Sequence, residues 1–80
     1  MEKIEQRLDI LWANLDIENR TKETIDELMR EILDIAATIK TMAYTPTSQP
    51  EIFRKYATIN NLIHAKFELL WYQENKDAMW

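Results

Sequence analysis

The chain has no glycine and no cysteine in 80 residues, and its two prolines both fall between Tyr44 and Glu51. Average usage would supply about six glycines. Glycine provides the positive-φ positions of tight hairpin turns and of Schellman helix caps, so its absence argues against a turn-rich β fold and for a few long helices. Without cysteine there is no disulfide framework, no thiolate nucleophile and no thiolate metal site. Long apolar runs are also missing. The longest, such as Leu69, Leu70, Trp71 and Tyr72, are far too short for a membrane-spanning helix. A basic stripe is lacking too: the net charge is −4, which disfavours direct nucleic-acid binding, since that draws its affinity from phosphate contacts. The opening Met1, Glu2, Lys3 carries an acid from the start, unlike a basic secretory leader or an acid-poor transit peptide, so the expected location is cytoplasmic. Asn19, Arg20, Thr21 spells a glycosylation sequon, read as a chance match in the absence of such a leader.

What the chain does have is apolar content arranged with a period. Hydrophobic residues make up 46% of it and charged residues 30%, a balance that folds and stays in water as one domain over residues 1–80. At this size a single core is marginal, and oligomerisation often completes the burial. From Ile4 apolar residues recur at alternating steps of four and three: Ile4, Leu8, Leu11, Leu15, then Ile25, Met29, Ile32, Ala36, Ile39, Ala43. This is a heptad seam with Ile4, Leu11, Ile25, Ile32 and Ile39 at d and the others at a, and its register is kept across the gap from Glu18 to Glu23. Within the gap, Glu18 and Lys22 fall on the seam and would form an i,i+4 pair in a continuous helix. The opposing signal is a capping box, Thr24 to Glu27, preceded by the weak helix formers Asn19 and Thr21.

Thr45, Pro46, Thr47, Ser48, Gln49, Pro50 is the one clear boundary, a turn at 45–49. Ser48 and Glu51 make a second capping box with Pro50 in the first turn, so a helix is expected from about Pro50 to about Lys76. Its inward face is Ile52, Phe53, Tyr56, Ile59, Ile63, Phe67, Leu70 and Trp71. Leu62 and Leu69 lie off that face as a second stripe. On the first segment Ile10 and Ile17 also leave the seam, while Leu28, Ile35 and Met42 widen it. Ile10, Ile17, Leu62 and Leu69 are therefore the candidates for self-association. Most of the eight aromatics are expected to fill the core.

Constellations that carry chemistry are sparse. His64, the sole histidine, has Glu68 one turn later and reads as a helix-surface pair; the di-metal Glu-x-x-His pattern is absent. Asn60 falls on the apolar side, as a register-setting amide or as one that reaches water. Arg7, Arg20, Arg30 and Arg54 are scattered, with no nucleophile and base, no phosphate-cradling loop and no paired carboxylates, so neither an enzyme nor a cofactor is expected. The acids are uneven: residues 1–44 hold ten acids against six bases, and residues 45–80 hold four of each. Glu23, Glu27, Glu31 and Asp34 form a carboxylate row, partly offset by Asp26 with Arg30 and by Arg30 with Asp34. The row is an ordinary solvated face or a docking face for a basic partner, including one that mimics a nucleic-acid backbone. Trp71, Tyr72, Met79 and Trp80, around a polar stretch at the end of the chain, are candidate anchors for a partner, because aromatics dominate binding hot spots.

The expected fold is thus all-α: a helical hairpin, about 2–44 against about 50–76, pairing as an antiparallel four-helix bundle. A first helix of about 60 Å against about 40 Å for the second would leave Leu8, Leu11, Trp12 and Leu15 for a second subunit to cover. The alternative is a monomeric three-helix bundle with a break near 18–23. The expected function is a non-catalytic module that regulates or inhibits a protein partner, with a phage, plasmid or immunity-type accessory protein as an analogy of size and shape only. A structural or assembly subunit of a homo-oligomer or larger complex is the second reading, and a small-molecule site in the bundle interior the third.

Overall fold

The heptad seam of the first forty residues does not stay in one helix. A computed structural model describes residues 3–75 and, among these, is all-helical: α1 (Lys3–Ala13), a single 3-10 turn (Ile17–Asn19), α2 (Lys22–Thr41) and α3 (Pro50–Asn75). The hairpin with one helix over 2–44 is therefore corrected to three helices, and the bundle with a break near 18–23 fits the chain. Ion pairs reveal how the helices run. Arg7 Nη2 lies 2.8 Å from Asp34 Oδ2, and Lys22 Nζ lies 2.7 Å from Glu74 Oε2. Lys55 Nζ reaches both Glu5 and Asp9 at 2.9 Å, while Lys66 Nζ donates to the Glu18 carbonyl at 3.3 Å. α2 is thus antiparallel to α1 and to α3, and α1 runs parallel to α3. The result is an up-down-up rod of 47 × 22 × 16 Å.

Local hydrogen bonding explains the break. Asp16 adopts a left-handed conformation at φ 39°, unfavourable for a residue with a Cβ but better tolerated by aspartate than by most. Asn19 Nδ2 donates to its carboxylate at 2.8 Å. The guanidinium of Arg20 folds back to donate to the carbonyls of Leu15, at 2.9 Å, and Asn14, satisfying groups that the end of α1 would leave orphaned. α2 then starts from Thr21, three residues ahead of the expected cap at Thr24. Thr21 N–H donates to Thr24 Oγ1 at 2.9 Å, and Thr24 N–H donates to Thr21 Oγ1 at 3.4 Å. A second threonine thus does the job that Glu or Gln does in the commoner box.

The far end of α2 closes with a Schellman motif despite the lack of glycine. Tyr44 N–H donates to the Ile39 carbonyl at 3.3 Å and Ala43 N–H to the Lys40 carbonyl at 3.1 Å, with Ala43 at φ 58° where glycine would ordinarily stand. The turn that follows repeats the hydroxyl box of α2: Thr45 N–H donates to Ser48 Oγ, and Ser48 N–H to Thr45 Oγ1, both at 3.0 Å. Ser48 is thereby taken, and the expected box with Glu51 does not form. Glu51 pairs with Arg54 instead, at 2.6 Å. Gln49, kept out of the α region by the proline after it, offers its carbonyl to Phe53 N–H at 3.2 Å, and Pro50 opens α3 where a missing N–H is harmless.

The fully buried core is entirely isoleucine and leucine. Ile4, Leu8, Leu11 and Leu15 from the first segment meet Ile25, Leu28, Ile32, Ile35 and Ile39 of α2 and Ile52, Ile59 and Ile63 of α3. The expectation that aromatics fill it is corrected: Tyr44, Phe53, Tyr56 and Phe67 pack half-buried around it, while Trp12, Trp71 and Tyr72 stand about half exposed. Branched aliphatics interdigitate between close helices, whereas bulkier rings are accommodated at the groove edges. Packing against α2 and α3 buries Leu8, Leu11 and Leu15, which the hairpin had left for a second subunit, and Trp12 alone of that group remains exposed.

Candidate functional site

Each pair of helices is tied by at least one ion pair, which decides where free charge is left. Lys55 is held above the ordinary lysine value by its hydrogen bonds to Asp9 and Glu5. A groove of about 190 Å³ between α1 and α3 is lined in part by Leu8, Trp12, Arg54, Lys55 and Thr58. Both cations in it are already paired, Lys55 with α1 and Arg54 with Glu51, so an incoming anion would compete with existing carboxylates. Lys22, expected to pair with Glu18, pairs with Glu74, whose hydrogen bond raises it.

The carboxylate row lies on the exposed side of α2 that flanks α1. Arg7 of α1 takes Asp34, so Arg30 bonds Asp26 alone, at 3.5 Å, and not Asp34 as well. Among the described residues Glu23, Glu27 and Glu31 form no salt bridge. Glu27 and Glu31 border a shallow groove with Ile10, Leu11 and Leu28 on its floor and Arg20 at its end. The groove exists because Ile10 points away from α3, on the α2 side of α1, and stays 64% exposed.

The four self-association candidates separate. Ile10 lies in that α1–α2 groove, and Ile17, on the 3-10 turn, packs half-buried against the chain's own core. Leu62 and Leu69 stay exposed together on α3, one and two heptads beyond Lys55, on the flank of α3 next to α1. Two residues complete their stripe: Ala65 and Tyr72, also exposed, give Leu62, Ala65, Leu69, Tyr72 at steps of three, four and three. Sequence reasoning found Leu62 and Leu69 as a second stripe but missed Ala65, because alanine does not stand out in an apolar helix; its signal was the heptad spacing itself.

The aromatic candidates stand at one end of the bundle. Trp71 is 47% and Tyr72 51% exposed, near the end of α3. The Lys22–Glu74 pair brings the first turn of α2, and Glu23 with it, to the same end. Leu69 and Tyr72, three residues apart, share one face of α3, while Trp71 stands on the other flank of the helix near the same end, with Glu68 between Trp71 and Tyr72. Met79 and Trp80 lie outside the described residues. His64 is half-buried and makes no ion pair with Glu68, contrary to the sequence reading; Asn60 is half-buried as well. Among the described residues no cluster of histidine and acids is placed to hold a metal ion, and no helix is long and apolar enough to cross a membrane. Comparison with protein-family models, with curated proteins and with solved structures found no match.

Proposed function

We propose that the protein is a non-catalytic binding module that docks a protein partner at the end of the bundle carrying Leu69, Trp71 and Tyr72, and thereby regulates or inhibits it. One observation carries this reading. The core is closed by aliphatic side chains and, among the described residues, no buried side-chain polar atom is left unpaired, yet three large apolar side chains remain about half exposed within four residues of α3. Rings of this kind surrounded by polar groups form the centre of protein interfaces, where a few residues supply most of the affinity. The unpaired carboxylates of α2 add a negative field that favours a basic partner and speeds encounter. A photoreactive amino acid at Tyr72 tests the reading against one at Lys40, which lies toward the opposite end of the rod. Tyr72 should capture one discrete protein that Lys40 does not, and equal labelling from both positions would count against the proposal.

A second reading, an assembly subunit that pairs with itself, is favoured by the seam Leu62, Ala65, Leu69, Tyr72. A helix of another copy laid along that seam would bury it, as expected for half of a coiled-coil contact. Cross-linking from Ala65 distinguishes the two readings, since self-pairing yields a species of twice the chain mass with purified protein alone.

A further inference from the structure

We propose that residues 14–21 are the hinge of a domain swap: the hinge straightens into one helix from α1 through α2, and α1 takes the seat vacated by the α1 of a second copy of this chain. Ile4, Leu8, Leu11 and Leu15 keep the same heptad register as Ile25, Met29, Ile32 and Ala36 across a break that makes register unnecessary. In a chain that only ever folds back on itself, each helix orients its apolar face independently. A shared register matters only when the two lie on one continuous helix.

The geometry of the folded-back form makes the exchange conservative. α1 lies antiparallel to α2 with Arg7 opposite Asp34, so two straightened chains crossing antiparallel at the hinge recreate that pairing between copies. In the folded-back chain Ile10 and Leu11 border Glu27, Leu28 and Glu31 of α2, so the exchanged α1 would lie on that same face of the other copy's α2. Only the layer at the crossing is new. There Glu18, at d, meets Lys22 of the other copy, at a, and the two-fold makes the contact twice, with opposite charges facing each time. This complementarity identifies the occupant as a second copy. Among the described residues of the folded-back chain Glu18 forms no salt bridge, and Lys22 turns to Glu74.

The hinge is also balanced between the two states. Asp16 sits at φ 39°, which straightening relieves, and the residues from Asn14 to Thr21 gain helical hydrogen bonds. Against this, straightening gives up the hydrogen bonds of Arg20 to Asn14 and Leu15 and the threonine box at Thr21. Substitutions at these few positions should therefore move the equilibrium without touching the core.

The test uses the absence of cysteine. Arg7→Cys with Asp34→Cys, joined by a short bismaleimide, reports whether α1 sits on its own α2 or on another's. With the native hinge the cross-link should stay within one chain at low micromolar concentration. Asp16→Ala removes the aspartate suited to the left-handed turn and favours helix, and should tighten association at least tenfold; Asp16→Gly should weaken it. Asp16→Ala with Asn19→Ala and Thr21→Ala should give a species of twice the chain mass, higher helical content and cross-links between chains. Cross-links confined to single chains in all these variants, whatever the mass, would overturn the swap. Should the triple variant fail to fold, Asp16→Ala, which leaves both caps in place, decides alone.

Discussion

Replacing Ala43 with glycine should make the protein more stable, a direct consequence of a helix cap built without the residue that suits it. Ala43 is exposed and occupies the left-handed position of the Schellman motif at φ 58°. A Cβ in that region costs about 1–2 kcal/mol, which glycine would remove. Glycine's greater freedom in the unfolded chain returns about 0.4–1 kcal/mol, leaving a net gain of about 0.5–1 kcal/mol. For a domain of this size that corresponds to a rise of about 2–8 °C in melting temperature, readily measured by circular dichroism at 222 nm or by calorimetry. Ala43→Val should move the other way, because a branched side chain is worse in the same conformation. The hydrogen bonds from Tyr44 to Ile39 and from Ala43 to Lys40 are backbone bonds and survive both changes. An unchanged or lowered melting temperature for Ala43→Gly would refute the assignment of strain to this cap.

Ile32→Ala, which removes a fully buried side chain at the centre of α2, should cost about 2–5 kcal/mol in urea titration and leave little folded protein at 37 °C. The pH dependence at the alkaline end should come from the lysines that bridge helices. Lys55 and Lys22 are raised above the ordinary lysine value, so their contribution is fully present below that value and fades as pH climbs through the raised one; Lys55→Met should flatten the loss. At the acid end, Glu51 is lowered by its hydrogen bond from Arg54, so its contribution is present above the ordinary glutamate value and disappears as pH falls through the lowered one, an effect that Arg54→Met should abolish. Charge reversal at Glu27 and Glu31 should leave melting unchanged or slightly raised while slowing association with a basic partner, and added salt should slow the native chain likewise.

How far the sequence could be read depends on which interactions its residues use. Ile4, Leu8, Leu11 and Leu15 of the first segment and Ile25, Ile32 and Ile39 of α2, with Leu28 and Ile35 beside them, are buried where the spacing put them, because burial follows a helical period even in isolation; Met29 and Ala36 of the seam are only half-buried, and Ala43 and Met42, beyond the end of α2, are exposed. Pro46 and Pro50 made the 45–49 turn legible, since proline acts on the backbone at its own position. The break at 14–21 was not decidable in the same way. Register across it suited one helix, and the features that end α1, a left-handed Asp16 and an arginine folded back onto carbonyls, arise from hydrogen bonds with no period of their own. The candidate site was legible only in part. Leu62 and Leu69 were singled out as excess apolar surface and are exposed, but Ile17 was also singled out and packs on the core through the short turn that the sequence did not reveal. Trp71 was read both as inward-facing and as a partner anchor. It stands half exposed near the end of α3.

The central claim is that the aromatic end of α3 binds a partner. Its most direct test is the dissociation constant of the protein captured through Tyr72, measured by calorimetry against the native chain and against Trp71→Ala with Tyr72→Ala. Both side chains are about half exposed, so the variant should melt within a few degrees of the native chain. Its affinity should fall by a hot-spot amount, about 2 kcal/mol or a factor of about thirty, and mainly through faster dissociation. Native affinity in a variant that remains folded would contradict the account and exclude this surface as the docking site.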